Sequence, residues 1–133
     1  MQLWRQAWRL RRATVASAVL VIQDCRDRVL VLSSPQSVRL PSIELRAGDA
    51  VATQVDEHLR GLSQTCTASL VAVDGGPSPE GVRFLYIATY DGDTSQTGGV
   101  WLETHVALEC LIEADCQLLR SCMSHRRDVV SNA

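Results

Sequence analysis

The first strong pattern in the chain is an almost unbroken apolar run from Ala16 to Ile22. Continuous rather than alternating apolar residues predict a strand covered on both faces. Asp24-Cys25-Arg26-Asp27 is a polar turn, and Arg28 to Leu32 returns as a second strand, the signature of a hairpin. Ser33 to Ser37 reads as a loop, and Val38 to Leu45 as extended chain, because Pro41 rules out a helix there. Val51, Val55, Leu59 and Leu62 then form one apolar stripe at helical spacing, with Asp56, Glu57 and Arg60 largely outside it. Asp49, after Gly48, is the expected N-cap of this helix.

The second half alternates strand and loop before turning helical. Cys66 to Val73 reads as a strand and Asp74 to Gly81 as a loop with two prolines. Val82 to Tyr90 is a strand with Phe84, Tyr86 and Tyr90 on one side and Leu85 and Ile87 near the other; spacing of this kind marks core. Asp91 to Gly99 is a polar loop, and Val100 to Leu102 a short extended piece. Helical pattern resumes from Thr104, with Asp115 expected to cap a last helix through Leu118, Leu119, Cys122 and Met123. Strands around a central helix, followed by a helical carboxyl end, define an α/β or α+β layered domain.

Composition narrows this reading without redirecting it. A chain of 133 residues, 46% hydrophobic and 21% charged, is one ordinary globular domain. The expected division is a basic, tryptophan-containing arm over 1–12, the domain over 13–125, and a flexible tail over 126–133. A net charge of -2 gives no global case for nucleic-acid binding. All 13 basic residues are arginine, so no lysine is available as a nucleophile or Schiff base. The five cysteines show no paired short spacing or Cys–His ligand pattern, which suits reduced thiols in a cytoplasmic protein. Arg5, Arg9, Arg11 and Arg12 ahead of the apolar run superficially resemble a secretion signal, yet no small-residue cleavage site follows. The run is also shorter than the ~20 residues of a transmembrane helix. Trp4 and Trp8, four apart, fit a short amphipathic helix over residues 2–11, either packed on the domain or meeting a membrane surface or partner.

One segment carries a family resemblance. Leu40-Pro41-Ser42-Ile43-Glu44-Leu45-Arg46-Ala47-Gly48-Asp49, with the helix ending Glu57-His58-Leu59-Arg60-Gly61-Leu62, resembles the Nudix box of MutT-like hydrolases. The resemblance covers roughly residues 14–123. Leu40-Pro41 matches the usual lead into the box, Gly48-Asp49 the Gly-Glu pair, and Leu59 the aliphatic position. Trp101-Leu102 also looks like the family's usual lead into its carboxyl-terminal segment. The resemblance implies a Nudix-like α/β/α sandwich with a mixed sheet, and a divalent-metal site for cleaving nucleoside diphosphate-linked compounds.

The departures from the box decide the expected chemistry. Ile43 stands at the first Gly, Glu57 at the Arg, His58 at the first helix Glu, Gly61 and Leu62 at the Glu-Glu pair, and Gln64 at the final Gly. Of the positions that would place carboxylates near Mg²⁺, only Asp49 retains one. Mg²⁺ demands hard oxygen ligands, whereas an imidazole suits zinc or other transition metals. A degenerate box is therefore expected, with no cofactor, and with impaired metal-dependent hydrolysis. Such a protein would bind a nucleotide-like ligand or a protein partner, with a homodimer one form of the latter.

The alternatives are an active, divergent hydrolase using Mg²⁺ or Mn²⁺, and a purely structural or dimerising domain. Candidate catalytic residues are Glu57, His58 and Glu103; Asp49 and Glu57 are candidate metal ligands, with Glu44 as a further source of oxygen. Each has a plainer reading: Glu57 as a solvated charge, His58 as a partly buried polar residue, Glu103 as a first-turn acid of the next helix. Arg39 and Arg46, flanking the box loop, are the candidate ligand-binding cations, since guanidinium forks match phosphate oxygens.

Overall fold

The computed structural model describes residues 15–46, 48, 50–62, 67–74 and 81–131. The tryptophan-bearing arm, Asp49, Cys66 and most of the proline-containing loop lie outside the described residues. The elements are β1 (Val15–Gln23), β2 (Arg28–Ser33), β3 (Val38–Arg39), β4 (Ser42–Glu44), α1 (Val51–Arg60), β5 (Thr67–Asp74), β6 (Gly81–Thr89), β7 (Val100–Glu103), α2 (Thr104–Cys110) and α3 (Glu113–Ser131). The extended stretch expected over Val38 to Leu45 is thus two short strands on either side of Leu40-Pro41. The last helix is drawn to Ser131, past Arg126, where the sequence offered no reason for order.

The sheet is mixed, and β1 runs through its centre. β1 lies parallel to β6 from Val15↔Gly81 to Gln23↔Thr89, while β5 pairs antiparallel with the far side of β6. On its other side β1 is divided between two partners. Its first half pairs with β4 (Ser17↔Glu44 to Val19↔Ser42), and its end meets β2 at Gln23↔Val29. β7 and β3 complete the sheet against β2.

The unbroken apolar run of β1 is explained by two cores, one on each face. Ala18, Leu20 and Ile22 pack with Tyr86, Tyr90, and Val55 and Leu59 of α1. Val19 and Val21 pack with Leu85, Ala107 of α2, and Leu118, Leu119 and Cys122 of α3. The architecture is an α/β/α sandwich, with the aromatic side of β6 buried on the α1 face. The stripe predicted for α1 is the face that is buried: Val55 and Leu59 are 0% and 1% exposed. The capping residues differ from expectation. Ala50 occupies the N-cap of α1 and makes no side-chain cap bond. Asp115 does not cap α3, which starts at Glu113; it lies buried in the first turn.

Two side chains fix the connections. Asp24, 5% exposed, accepts hydrogen bonds from the backbone N–H groups of Arg26 (3.0 Å) and Arg28 (2.8 Å) and from Arg28 Nε (2.7 Å), closing the β1–β2 turn. Gln54, buried on α1, holds both sides of one residue's backbone. Arg46 N–H donates to Gln54 Oε1 (2.8 Å) and Gln54 Nε2 donates to Arg46 O (3.1 Å).

Candidate functional site: a two-arginine cleft

On the α3 face, where β1 is flanked by β4 and β6, a cleft of about 220 Å³ opens beside the first turn of α3. Its walls include Ser17 and Val19 of β1, Arg39 of β3, Leu40, Ser42 of β4, Arg83 of β6, and Ile112, Ala114 and Asp115 at the start of α3. Strand register explains much of this convergence. Ser17 sits opposite Arg83 in the parallel β1–β6 pair, and Val19 opposite Ser42 in the antiparallel β1–β4 pair. Side chains directly opposite on neighbouring strands share a face, so these positions meet without any loop to position them.

Asp115 builds the remaining wall. Its Oδ2 accepts the Leu40 N–H at 2.9 Å across 75 residues of sequence, and Ile112 N–H donates to Val38 O at 3.1 Å. Together these bonds hold the β3–β4 junction, and Arg39 with it, against the start of α3. Two arginines and one aspartate line the cleft, and Glu44, opposite Ser17 in the β1–β4 pair, lies on the same face. The cleft's serine hydroxyls add donors and acceptors, and Val19, Leu40 and Ile112 line it with aliphatic carbon. This combination suits a ligand with an anionic end and an uncharged body.

The residues anticipated from the box are not gathered in this cleft. Arg39 lines it; Arg46 does not. Arg46 lies beyond β4, where one of its terminal nitrogens (Nη2) approaches Glu57 Oε2 at 3.7 Å; both side chains are exposed. His58 is exposed, not partly buried. As consecutive residues on α1, Glu57 and His58 point about 100° apart, so they cannot both address one ion. Glu103 is the N-cap residue of α2, exposed, with His105 Nε2 3.5 Å from its Oε2. It sits opposite Arg28, at the Gln23 end of β1, whereas Leu45, just before Arg46, bonds Ala16 at the other end. Seven residues of strand at ~3.3 Å each put about 23 Å between those ends. Glu103 therefore joins neither Glu57 and His58 nor the cleft.

A hard divalent cation needs several oxygen ligands at one point. Among the described residues, no three His, Cys, Asp or Glu side chains are placed to hold a metal ion. Asp49, the other expected donor, lies outside them. Glu57, 3.7 Å from Arg46, is a single carboxylate and His58 offers an imidazole, a pair that does not make the oxygen cage Mg²⁺ demands.

Arg83, Ser17, Ser42 and Gln54 were not singled out from sequence. The one available signal was Arg83, a lone charge inside the apolar strand Val82 to Tyr90. Ser17 and Ser42 gave none, because their value comes from register with distant strands. On the α1 face, Tyr86 is the perturbed group: burial, with a smaller contribution from the nearby Asp56 carboxylate, raises its pKa above 10.0.

No family model matches the sequence, and no curated protein matches it. Solved structures do. A mutT/nudix family protein from Listeria innocua superposes with a TM-score of 0.72 at 10% identity, over 90% of this chain and 98% of that one. The Nudix domain of NrtR from Shewanella oneidensis, solved with ADP-ribose, gives 0.61 at 15% identity, over 84% and 87% of the two chains. A longer protein from Sinorhizobium meliloti gives 0.68 at 15% identity; the match takes in 95% of this chain but only 44% of that one. The chain has a Nudix-like fold. No described helix is long and apolar enough to cross a membrane.

Proposed function

We propose that this Nudix-fold domain binds a phosphorylated, nucleotide-like ligand in the two-arginine cleft and does not hydrolyse it by the metal route associated with the fold. The observation that carries the reading is the convergence of Arg39 and Arg83 with Ser17, Ser42 and Asp115 on one cleft. It is supported by the character of α1, whose described donors do not make a Mg²⁺ site. The ADP-ribose seen with the Shewanella domain supplies a chemical class to test, a nucleoside diphosphate derivative. In the cleft, the guanidinium groups would take phosphate oxygens, the aliphatic wall would cover a ring, and Asp115 would accept an N–H or O–H from it.

Calorimetric titration with ADP-ribose, ADP and inorganic pyrophosphate tests the proposal. Binding is expected for at least one of them, weakened about 10- to 100-fold by Arg39→Ala or Arg83→Ala, the range for a charge-assisted contact. Arg46→Ala should leave it unchanged. No product should appear with Mg²⁺ or Mn²⁺ across a panel of nucleoside diphosphate derivatives. Metal-dependent turnover abolished by Glu57→Gln would overturn the non-hydrolytic part. Binding insensitive to both cleft arginines would overturn the site.

A further inference from the structure

The outer strand β5 carries two large, half-exposed apolar side chains, Leu70 at 50% and Val73 at 57%. They sit opposite Tyr86 and Phe84, so they lie on the α1 face, with Phe84 only half-buried beside them. β5 pairs with β6 on one side and ends the order of the described strands. Its outer row of backbone groups therefore has no strand partner among the described residues. An apolar strip along such an edge is a template for pairing with a further strand.

A β-bulge between Leu70 and Ala72 decides what that strand can be. Leu70 faces the α1 side, opposite Tyr86, and Ser69 the α3 side, opposite Ile87. At the bulge the alternation breaks. Val71 and Ala72 both pack on the α3-side core, and Val73 returns to the α1 side. Position 74, opposite Arg83, is again on the α3 side. From 69 to 74 the sequence of sides reads the same in both directions, with its centre between Val71 and Ala72. A regular strand laid along this edge alternates without a break, so beyond the bulge its side chains fall on the wrong face. A second β5 running antiparallel has the same break at the same point. With Val71 opposite the partner's Ala72, Leu70 falls opposite the partner's Val73 and Ser69 opposite the partner's Asp74, each pair on one side. Charge agrees with this register, because Asp74 is the only charged residue of β5 and meets a serine rather than a second acid. Six paired positions give about six main-chain bonds, within the ~5–15 that a protein interface carries.

We infer that β5 is the contact between two copies of this chain, paired antiparallel about a two-fold axis between Val71 and Ala72, so that the two sheets become one. A two-fold interface must be complementary to itself, position i meeting j wherever j meets i, and the order of sides along β5 satisfies that demand. The two Leu70–Val73 pairs then form one apolar patch on the α1 side, beside the Phe84 of each copy. The contact does not rest on the ligand reading of the cleft.

Light-scattering mass of the full chain after gel filtration tests this. A species of twice 14.6 kDa is expected at micromolar concentrations. Leu70→Lys with Val73→Lys sets like charges in both facing pairs and should return the mass to 14.6 kDa with the circular dichroism unchanged. Cross-linking reads the register. In a chain with Cys25, Cys66 and Cys110 replaced by serine, Leu70→Cys and Val73→Cys proteins are oxidised separately and after mixing. Directly opposite residues lie about 4.5–5.5 Å apart at Cα, a separation that a disulfide spans. In either variant alone the new thiols stand three residues out of step, about 10 Å along the strand, beyond disulfide reach. Only the mixture should therefore yield covalent dimer. A mass of 14.6 kDa for the unsubstituted chain would overturn the inference. So would a dimer that survives both lysines, or cross-linking as strong in the separate variants as in the mixture. Should the lysine pair unfold the domain, the cross-linking comparison decides alone.

Discussion

Asp24 shows how one buried carboxylate can set a turn and a pH response together. Burial alone would raise its pKa, but hydrogen bonds from the Arg28 backbone, the Arg28 side chain and the Arg26 backbone, with the Arg28 charge, reverse that and hold it below 3.8. A carboxyl with a depressed folded pKa contributes stability that is present above its unfolded pKa and lost as pH falls through the folded value. The relevant window therefore lies below about pH 4. Urea unfolding of Asp24→Asn at pH 6 should show a loss of about 1–3 kcal/mol, because two backbone donors and a guanidinium lose their charged acceptor. That deficit should shrink as both proteins are taken below pH 4. Asp93 has a lowered pKa for a similar reason, two bonds from Ser95, but is fully exposed and should not blur the comparison.

At the scale of elements, the β6–β7 connection is the clearest case of geometry forcing residue choice. Trp101 packs on Tyr90 with ring centroids 5.7 Å apart, and Tyr90 donates to Asp93 O at 3.0 Å, so the loop is folded around an aromatic pair. Gly98 and Gly99 both have positive φ, at 69° and 64°. A methyl at Gly98 would meet nothing within 4 Å, whereas one at Gly99 would lie 2.8 Å from Val31 O. Gly98→Ala should therefore cost about 1–2 kcal/mol, the left-handed penalty alone. Gly99→Ala should cost measurably more, as β7 is pushed from β2. Equal losses in thermal unfolding of the two variants would contradict this account.

Elements were also where the sequence was most informative. The period-2 and helical patterns located every large strand and α1, and the continuous run of β1 announced two cores. What pattern could not supply was contact between distant segments. An acid near a helix start usually caps it, which is the part sequence gives Asp115; its partner, Leu40, is visible only in three dimensions. The Nudix resemblance drew attention to Arg46, Glu57 and His58, side chains that the fold leaves exposed. Of the described box candidates, only Arg39 lines the cleft, because β3 and β4 are held beside α3.

For the whole molecule, the two-core arrangement makes a quantitative claim. Val55 belongs to the α1 core and Leu119 to the α3 core, each 0% exposed, with the sheet between them. Val55→Ala and Leu119→Ala should each destabilise by about 2–4 kcal/mol, through lost burial plus a residual cavity. Since the side chains share no partner across the sheet, their costs should add to within about 0.5 kcal/mol in the double variant. Strong coupling in chemical denaturation would mean that the sheet transmits repacking from one core to the other.

Gln54 carries a consequence for how this scaffold tolerates change. Because one amide grips Arg46 by both its N–H and its carbonyl, the chain leaving β4 is anchored before it enters the bend that leads to α1. The register of α1 on the sheet therefore does not depend on its N-cap residue, Ala50, which makes no side-chain bond. Loss of that glutamine is expected to loosen the seat of α1 on the sheet, whereas Ala50 can be exchanged for another residue and Gly48, with φ at 90°, cannot.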